Sequence, residues 1–157
     1  MSKRVLTMIT VTALAAAVAL AAAGIFLRQN REPAWADAGA PDLVARGRIV
    51  YQQSCAACHG ARLEGQPNWR QPNADGTLPA PPHDVTGHTW HHPDQMLFDI
   101  TKYGSASVAG AGFKSAMPVY DGVLDDADIW AVLAFIKSHW PPDIQAAQSA
   151  RSGDTRR

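Results

Sequence analysis

Cys55-Ala56-Ala57-Cys58-His59 constrains this chain more than any other stretch, because it sets two thiols one helical turn apart with an imidazole directly behind them. In C-x-x-C-H the two sulfurs form thioether bonds to the vinyl groups of a haem, and the adjoining histidine is held where it can bind the iron. One covalent haem c, attached at Cys55 and Cys58 and ligated by His59, is therefore the expected cofactor. These are the only two cysteines in the chain, so no other sulfur competes for the role. Two other chemistries use such thiols. A thioredoxin-type redox pair belongs beside a βαβ pattern, which the flanking sequence lacks, and a zinc site needs a second cluster of ligands to reach four.

The 157 residues suit one modest domain with appendages. Their 46% hydrophobic content is raised by one segment. Val5 to Leu27 carries no charge, comes after Lys3 and Arg4, and as a helix would run about 34 Å, enough for a hydrocarbon core of about 30 Å. Residues 1–28 thus read as a transmembrane anchor or uncleaved signal helix. A cleaved signal is the alternative, because Ala34-Trp35-Ala36 resembles an A-x-A cleavage site; against it, the apolar run exceeds the about 7–15 residues of a signal core and ends well before Ala34. Both readings export the chain beyond that segment. The expected location is single-pass in the inner membrane with the haem-bearing part on the periplasmic face, or soluble in the periplasm after cleavage. Arg28 and Arg31 offset Lys3 and Arg4, so charge orients the span only weakly.

Between Pro41 and Pro142, seven Lys or Arg face ten Asp or Glu, a net of three negative charges. No basic cluster is present, which excludes a nucleic-acid partner because phosphate binding needs grouped Lys and Arg. Asp121, Asp125, Asp126 and Asp128 form an acidic group that either steers a basic partner or simply solvates the start of a helix.

Residues 29–41 are polar, without a sustained apolar period, and read as a linker. From Asp42 the spacing of Leu43, Gly47, Val50, Tyr51 and Ser54 predicts a helix that carries the cysteine motif at its C-terminal end. Gly47 inside it costs about 1 kcal/mol relative to alanine, which points to a close helix crossing. From Ala61 to about Trp90 five prolines break regular structure. A proline-flanked carbonyl there is expected to accept the Nδ1 hydrogen of His59, from either the Pro67 neighbourhood or the Pro79–Pro82 run. Leu63, Trp69, Leu78 and Val85 are the packing side of that loop. A second helix is predicted from Pro93 and Asp94, with Met96, Leu97, Ile100 and Tyr103 as its stripe and Gly104 as its stop. The last is predicted from an Asp125 cap through Ile129, Val132, Leu133, Ile136 and Trp140 to Pro141-Pro142. Residues 143–157 read as a disordered tail.

His83, His88, His91 and His92 fall within ten residues of one another. They lie in the loop and at the entrance of the second helix, placed to meet solvent, a haem propionate or a partner; a second metal such as copper is the sharper alternative. Met117, with Pro118 after it and delivered by the Gly/Ala/Ser-rich stretch 105–116, is the candidate second axial ligand, a soft thioether that favours Fe(II). Met96, on a helical stripe, and the four histidines are its competitors.

Gly47-x-x-x-Tyr51, C-A-A-C-H at 55–59, Met117-Pro118 and a terminal helix bearing Phe135 together resemble a class I c-type cytochrome over roughly Asp42 to Trp140. The resemblance implies an all-α fold: a small class I cytochrome c domain over 42–142, with helices and long loops wrapped around one covalent haem. It also implies a crossing of the first and last helices through Gly47 and Tyr51 with Val132 and Phe135. The loop after the haem motif is longer and richer in proline than in the shortest members of that family. The function it implies is one-electron transfer between redox proteins in a respiratory or other chain, with His59 and Met117 on the iron, no catalytic residue and no small-molecule substrate at the metal. A haem enzyme subunit or sensor with an open sixth position, or a metal-handling module built on His83–His92, is the alternative.

Overall fold

The computed structural model describes Ala17, Val18, Leu20, residues 35–110 and residues 112–153. The chain divides into two units, Met1–Glu32 and Pro33–Arg157. In the first, Ala17, Val18 and Leu20 are helical and exposed; the rest of the expected span over residues 1–28 lies outside the described residues. Among the described residues no helix is long and apolar enough to cross a membrane.

The second unit is helical, with no strand among the described residues. Helix α1 spans Pro41–Ser54, with proline in its first turn, where the missing N–H has no partner to lose, and Asp42 beside it. The chain breaks at Cys55 and resumes as α2, Ala56–His59, so the cysteine motif straddles a helix junction rather than ending one continuous helix. A 3₁₀ turn, Thr89–His91, leads to α3, Asp94–Tyr103, and then to short α4, Ala106–Ala109. Helix α5 spans Asp126–Ser138; its start is capped by the Asp125 carboxylate, which accepts the Asp128 N–H at 2.6 Å. Every residue from Ile129 to Lys137 is buried, so α5 forms the centre of the unit and is enclosed all round.

Helix α1 reaches α5 through Gly47. A β-carbon there would overlap the Ala131 carbonyl and meet Phe135 Cβ at 2.8 Å, so the two backbones touch where only hydrogen fits. Tyr51, wholly buried, places its ring 5.3 Å from that of Phe135. The crossing therefore uses Gly47 against Ala131, with Val132 packed beside Tyr51 in the same cluster. On α3 the buried positions are Asp94, Leu97, Phe98 and Thr101, while the expected stripe residue Tyr103 is half exposed.

Two sequence expectations are corrected. Residues 35–36 of the expected linker 29–41 belong to the packed unit: Ala36 is buried against Leu97, Phe98 and Trp130, and the Trp35 ring lies 6.3 Å from that of Trp130, while residues 29–34 lie outside the described residues. The tail expected to be disordered over residues 143–157 is helical over Pro142–Gly153, helix α6, and its residues 154–157 lie outside the described residues. Its Gln148 and Ser152 enter a buried polar cluster around Asp94, which pairs with Lys137 at 2.7 Å and accepts the Gln148 amide, while its own N–H donates to Ser152. The His92 and Asp94 partners of Gln148 and Ser152 lie more than 50 residues upstream, beyond the reach of a local pattern. At the start of α5, Asp125 and Asp128 pair with Arg46, and Asp126 with Lys102, so three of the four carboxylates of the acidic group have partners within the chain.

Gly47→Ala is expected to cost at least the about 1–3 kcal/mol of an overpacked core, because the obstacle is backbone; an unshifted denaturant midpoint would refute the contact. Lys137→Met should cost about 3–5 kcal/mol by leaving Asp94 buried without its cation, and Asp94→Leu in the same chain should recover most of that loss in urea unfolding.

Candidate functional site

Helices α1, α2, α3 and α5 and the loops 66–92 and 105–120 enclose a cavity of about 560 Å³. That lies within the about 300–1,000 Å³ of cofactor sites. Its walls are mainly apolar, with Leu97 and Ile100 from α3, Val108 from α4, Val132, Leu133 and Ile136 from α5, and Leu78 and Phe113 from the loops. Among the described residues no Asp or Glu lines it.

His59 is buried on the cavity wall at the end of α2. Its Nδ1 lies 2.8 Å from the Pro81 carbonyl and donates to it, which leaves Nε2 as the basic nitrogen. Burial lowers the pKa of the ring, with the carbonyl pulling weakly the other way, so His59 is held neutral, the form that binds a metal. The Pro79–Pro82 run therefore provides the orienting carbonyl, and the Pro67 neighbourhood does not.

The loop that presents Pro81 is itself fixed. The His83 and Asp84 N–H groups donate to the Leu63 carbonyl, and Gln66 N–H to the Ala80 carbonyl. Gly65, at a φ of 68°, lets its backbone donate to His59 O at 2.7 Å while lying against Pro81 and Pro82, where a β-carbon would overlap the Pro82 nitrogen. His83, two residues beyond Pro81, stacks on His59 with ring centroids 4.0 Å apart, and its carbonyl accepts the Trp140 indole N–H at 2.8 Å. Its ring Nδ1 lies 2.8 Å from Thr89 Oγ1. Sequence reading grouped His83 with the histidine loop and missed this contact; only its two-residue separation from the proline carbonyl hinted at it.

Cys55 and Cys58 both line the cavity. Burial pushes the Cys55 thiol up to about 11, and the neighbouring Cys58 adds to it. A redox-active pair requires the opposite shift, toward thiolate, so this environment argues against thioredoxin-type chemistry. Among the described residues no group of three or more His, Cys, Asp or Glu is arranged to hold a metal ion.

Met117 and Met96 both reach the cavity wall, Met117 from an irregular loop where its N–H donates to Ser115 Oγ and Met96 from α3. The histidine loop separates: His83, His88 and His92 line the cavity, while exposed His91 stacks on Trp90. Trp69 lines it too, but Val85 is exposed and takes no part in the lining. Two thiols, one neutral oriented imidazole and an apolar chamber of this size fit a haem: Cys55 and Cys58 would hold it covalently, His59 would ligate its metal, and the walls would exclude water.

The family model described as Cytochrome c matches residues 44–140. Among characterised proteins, a thiosulfate dehydrogenase from Stutzerimonas stutzeri (strain A1501) is 32% identical over 104 residues, covering 63% of this chain and 28% of that protein. The chain thus spans well under a third of the length of that relative. No solved structure matches it significantly.

Burial holds His83 neutral in the folded chain, with a pKa well below its ordinary value. In the unfolded chain a histidine titrates near 6.5. As the pH falls below about 6.5 the unfolded state binds the additional proton first, so the unfolding free energy should drop across that range. Urea titrations of the haem-loaded chain from pH 7.5 to 4.5 should show the drop, and His83→Leu should flatten it; identical slopes would remove His83 from the account.

Proposed function

The chain belongs to the cytochrome c family, with covalent haem c as its cofactor, and from that premise we propose that it is a one-electron carrier whose iron is held by His59 and Met117. The observation that carries this reading is the neutral His59 ring, fixed by the Pro81 carbonyl on the wall of a chamber that also bears Cys55 and Cys58. When bound, haem supplies an Fe(III)/Fe(II) couple; the protein supplies attachment, burial and access.

Each part of the wall has a role in that task. Cys55 and Cys58 anchor the group so that it is never released during turnover. Pro81 and His83 keep the His59 ring from rotating, which limits rearrangement when the charge on the metal changes. Apolar side chains from α3 and α5 keep water out and favour the less charged, reduced state. Leu78, Val108 and Phe113 line the cavity yet stay partly exposed, which suits brief docking of redox partners through a small interface. Met117 is favoured over Met96 because its loop carries it free of a helical packing stripe, and two filled axial positions leave no place for a substrate on the metal.

The location proposed is the outer face of a bacterial inner membrane, tethered by residues 1–28. The named activity of the relative supports a second reading, in which this domain passes electrons for a larger oxidoreductase or keeps a displaceable sixth position.

Met117→Ala separates these readings. In a carrier it should lower the reduction potential, produce a high-spin fraction and admit carbon monoxide to the ferrous form, while Met96→Ala leaves all three unchanged. If Met117→Ala alters none of them, Met117 is not on the iron.

A further inference from the structure

Ala34-Trp35-Ala36 is the stretch that resembles a cleavage site for an export signal, yet its last two residues are part of the core. Ala36 is 1% exposed and fills the space between Leu97 and Phe98 of α3 and Trp130 of α5. The Trp35 ring lies 6.3 Å from that of Trp130, which in turn stacks on Phe98 with ring centroids 4.5 Å apart. Three aromatic rings from three segments of the chain thus close this cluster, with Ala36 packed among them.

The backbone that follows is equally committed. The Asp37 N–H donates to the Trp35 carbonyl at 2.9 Å, the Gly39 N–H to Asp37 Oδ1 at 2.8 Å and the Ala40 N–H to the Asp37 carbonyl, so the chain turns tightly and enters α1 at Pro41. Residues 35–39 also form one side of a cavity of about 350 Å³, opposite Gln145, Ser149 and the Lys137 that pairs with buried Asp94. The segment therefore covers both an apolar cluster and one flank of the buried ion pair.

We propose that Trp35-Ala36 is a strap of the folded domain and not a processing site: the bond after Ala36 stays intact, and the chain that folds around the haem keeps both residues. Removal of an export signal precedes folding, so burial does not shield the bond; the nature of the product is what decides. Hydrolysis adds one water across the Ala36–Asp37 amide, leaving a carboxylate on the released piece and an ammonium on Asp37. That ammonium would stand beside the apolar space vacated by Ala36, without the Trp35 carbonyl that now accepts its hydrogen. Such a product loses packing contacts and gains a charge next to an unfilled apolar gap, and both destabilise it. The alanine at 36 is accounted for by packing, since a larger side chain there would have to displace Leu97, Phe98 or Trp130. A domain built this way leaves a membrane tether only by a cut upstream of Trp35. The proposal stands on residues 35–40 and needs neither the carrier reading nor the tether.

The test is the intact mass of the full chain, produced beside a working haem-attachment system and recovered from membrane and soluble fractions. The haem-loaded chain should begin at or before Trp35 in each. A main species beginning at Asp37 or later overturns the proposal. Ala36→Leu blocks cleavage at a bond that needs a small residue before it, so a genuine processing site would answer with a longer chain. A strap answers otherwise: the mass changes only by the substitution, while the thermal midpoint falls by at least about 3 °C. Trp35→Ala leaves small residues at 34 and 36, and should lower the midpoint with an unchanged visible spectrum. If Ala36→Leu fails to accumulate, Trp35→Ala decides, and an unshifted midpoint in that variant overturns the strap. Failure of the tether reading looks different: a haem-loaded chain that begins between residues 29 and 35, shortened but with the strap intact.

Discussion

The contact of Gly47 with the Ala131 carbonyl sets the distance between the first long helix and the central one, and that distance shapes the chamber. Bringing α1 this close places Tyr51 over Phe135 and sends the chain past Cys55 at the floor of the cavity. Any side chain at position 47 would push the helices apart by at least a methyl group, and the cysteine motif would move with α1. The close approach is therefore a positional device as much as a packing one. It fixes two sulfurs and an imidazole relative to the wall supplied by Val132, Leu133 and Ile136.

The far side is held by different physics. Asp94 and Lys137 form a buried ion pair, with 1% and 6% of their side chains exposed, and the Gln148 amide and Ser152 hydroxyl complete their hydrogen bonds. Such a pair contributes little net stability over an apolar replacement, yet leaves a costly orphan when either partner is lost. Its effect is on specificity: α3, α5 and α6 can be satisfied together in one arrangement only. That arrangement gives α3 a fixed start, and α3 in turn presents Met96, Leu97 and Ile100 to the cavity.

The irregular loop is the third support. Five prolines between residues 61 and 90 deny it a regular hydrogen-bond ladder. Its backbone is instead fixed to Leu63, Gln66 and Trp140, which makes the Pro81 carbonyl a rigid acceptor for His59 and keeps His83 stacked on the same ring. The proline-rich segment thus presets the orientation of the His59 ring before any metal arrives.

Cysteine and histidine spacing, the Asp125 cap and the period of Ile129 to Ile136 were legible in the sequence, because each depends on neighbours within one or two helical turns. So was the need for a close approach at Gly47, since an interior helical glycine is costly unless space demands it. The sequence alone determined the cofactor chemistry and the helical class. Tertiary structure decided the rest: Ala131 as the surface that Gly47 meets, Pro81 as the acceptor, His83 as the stacking partner, the entry of Ala36 into the core and the folding of residues 142–153 onto Asp94. Each of these joins residues about 20 to nearly 100 positions apart. Their energy comes from burial and from pairing polar groups away from water, which no local pattern of residues encodes.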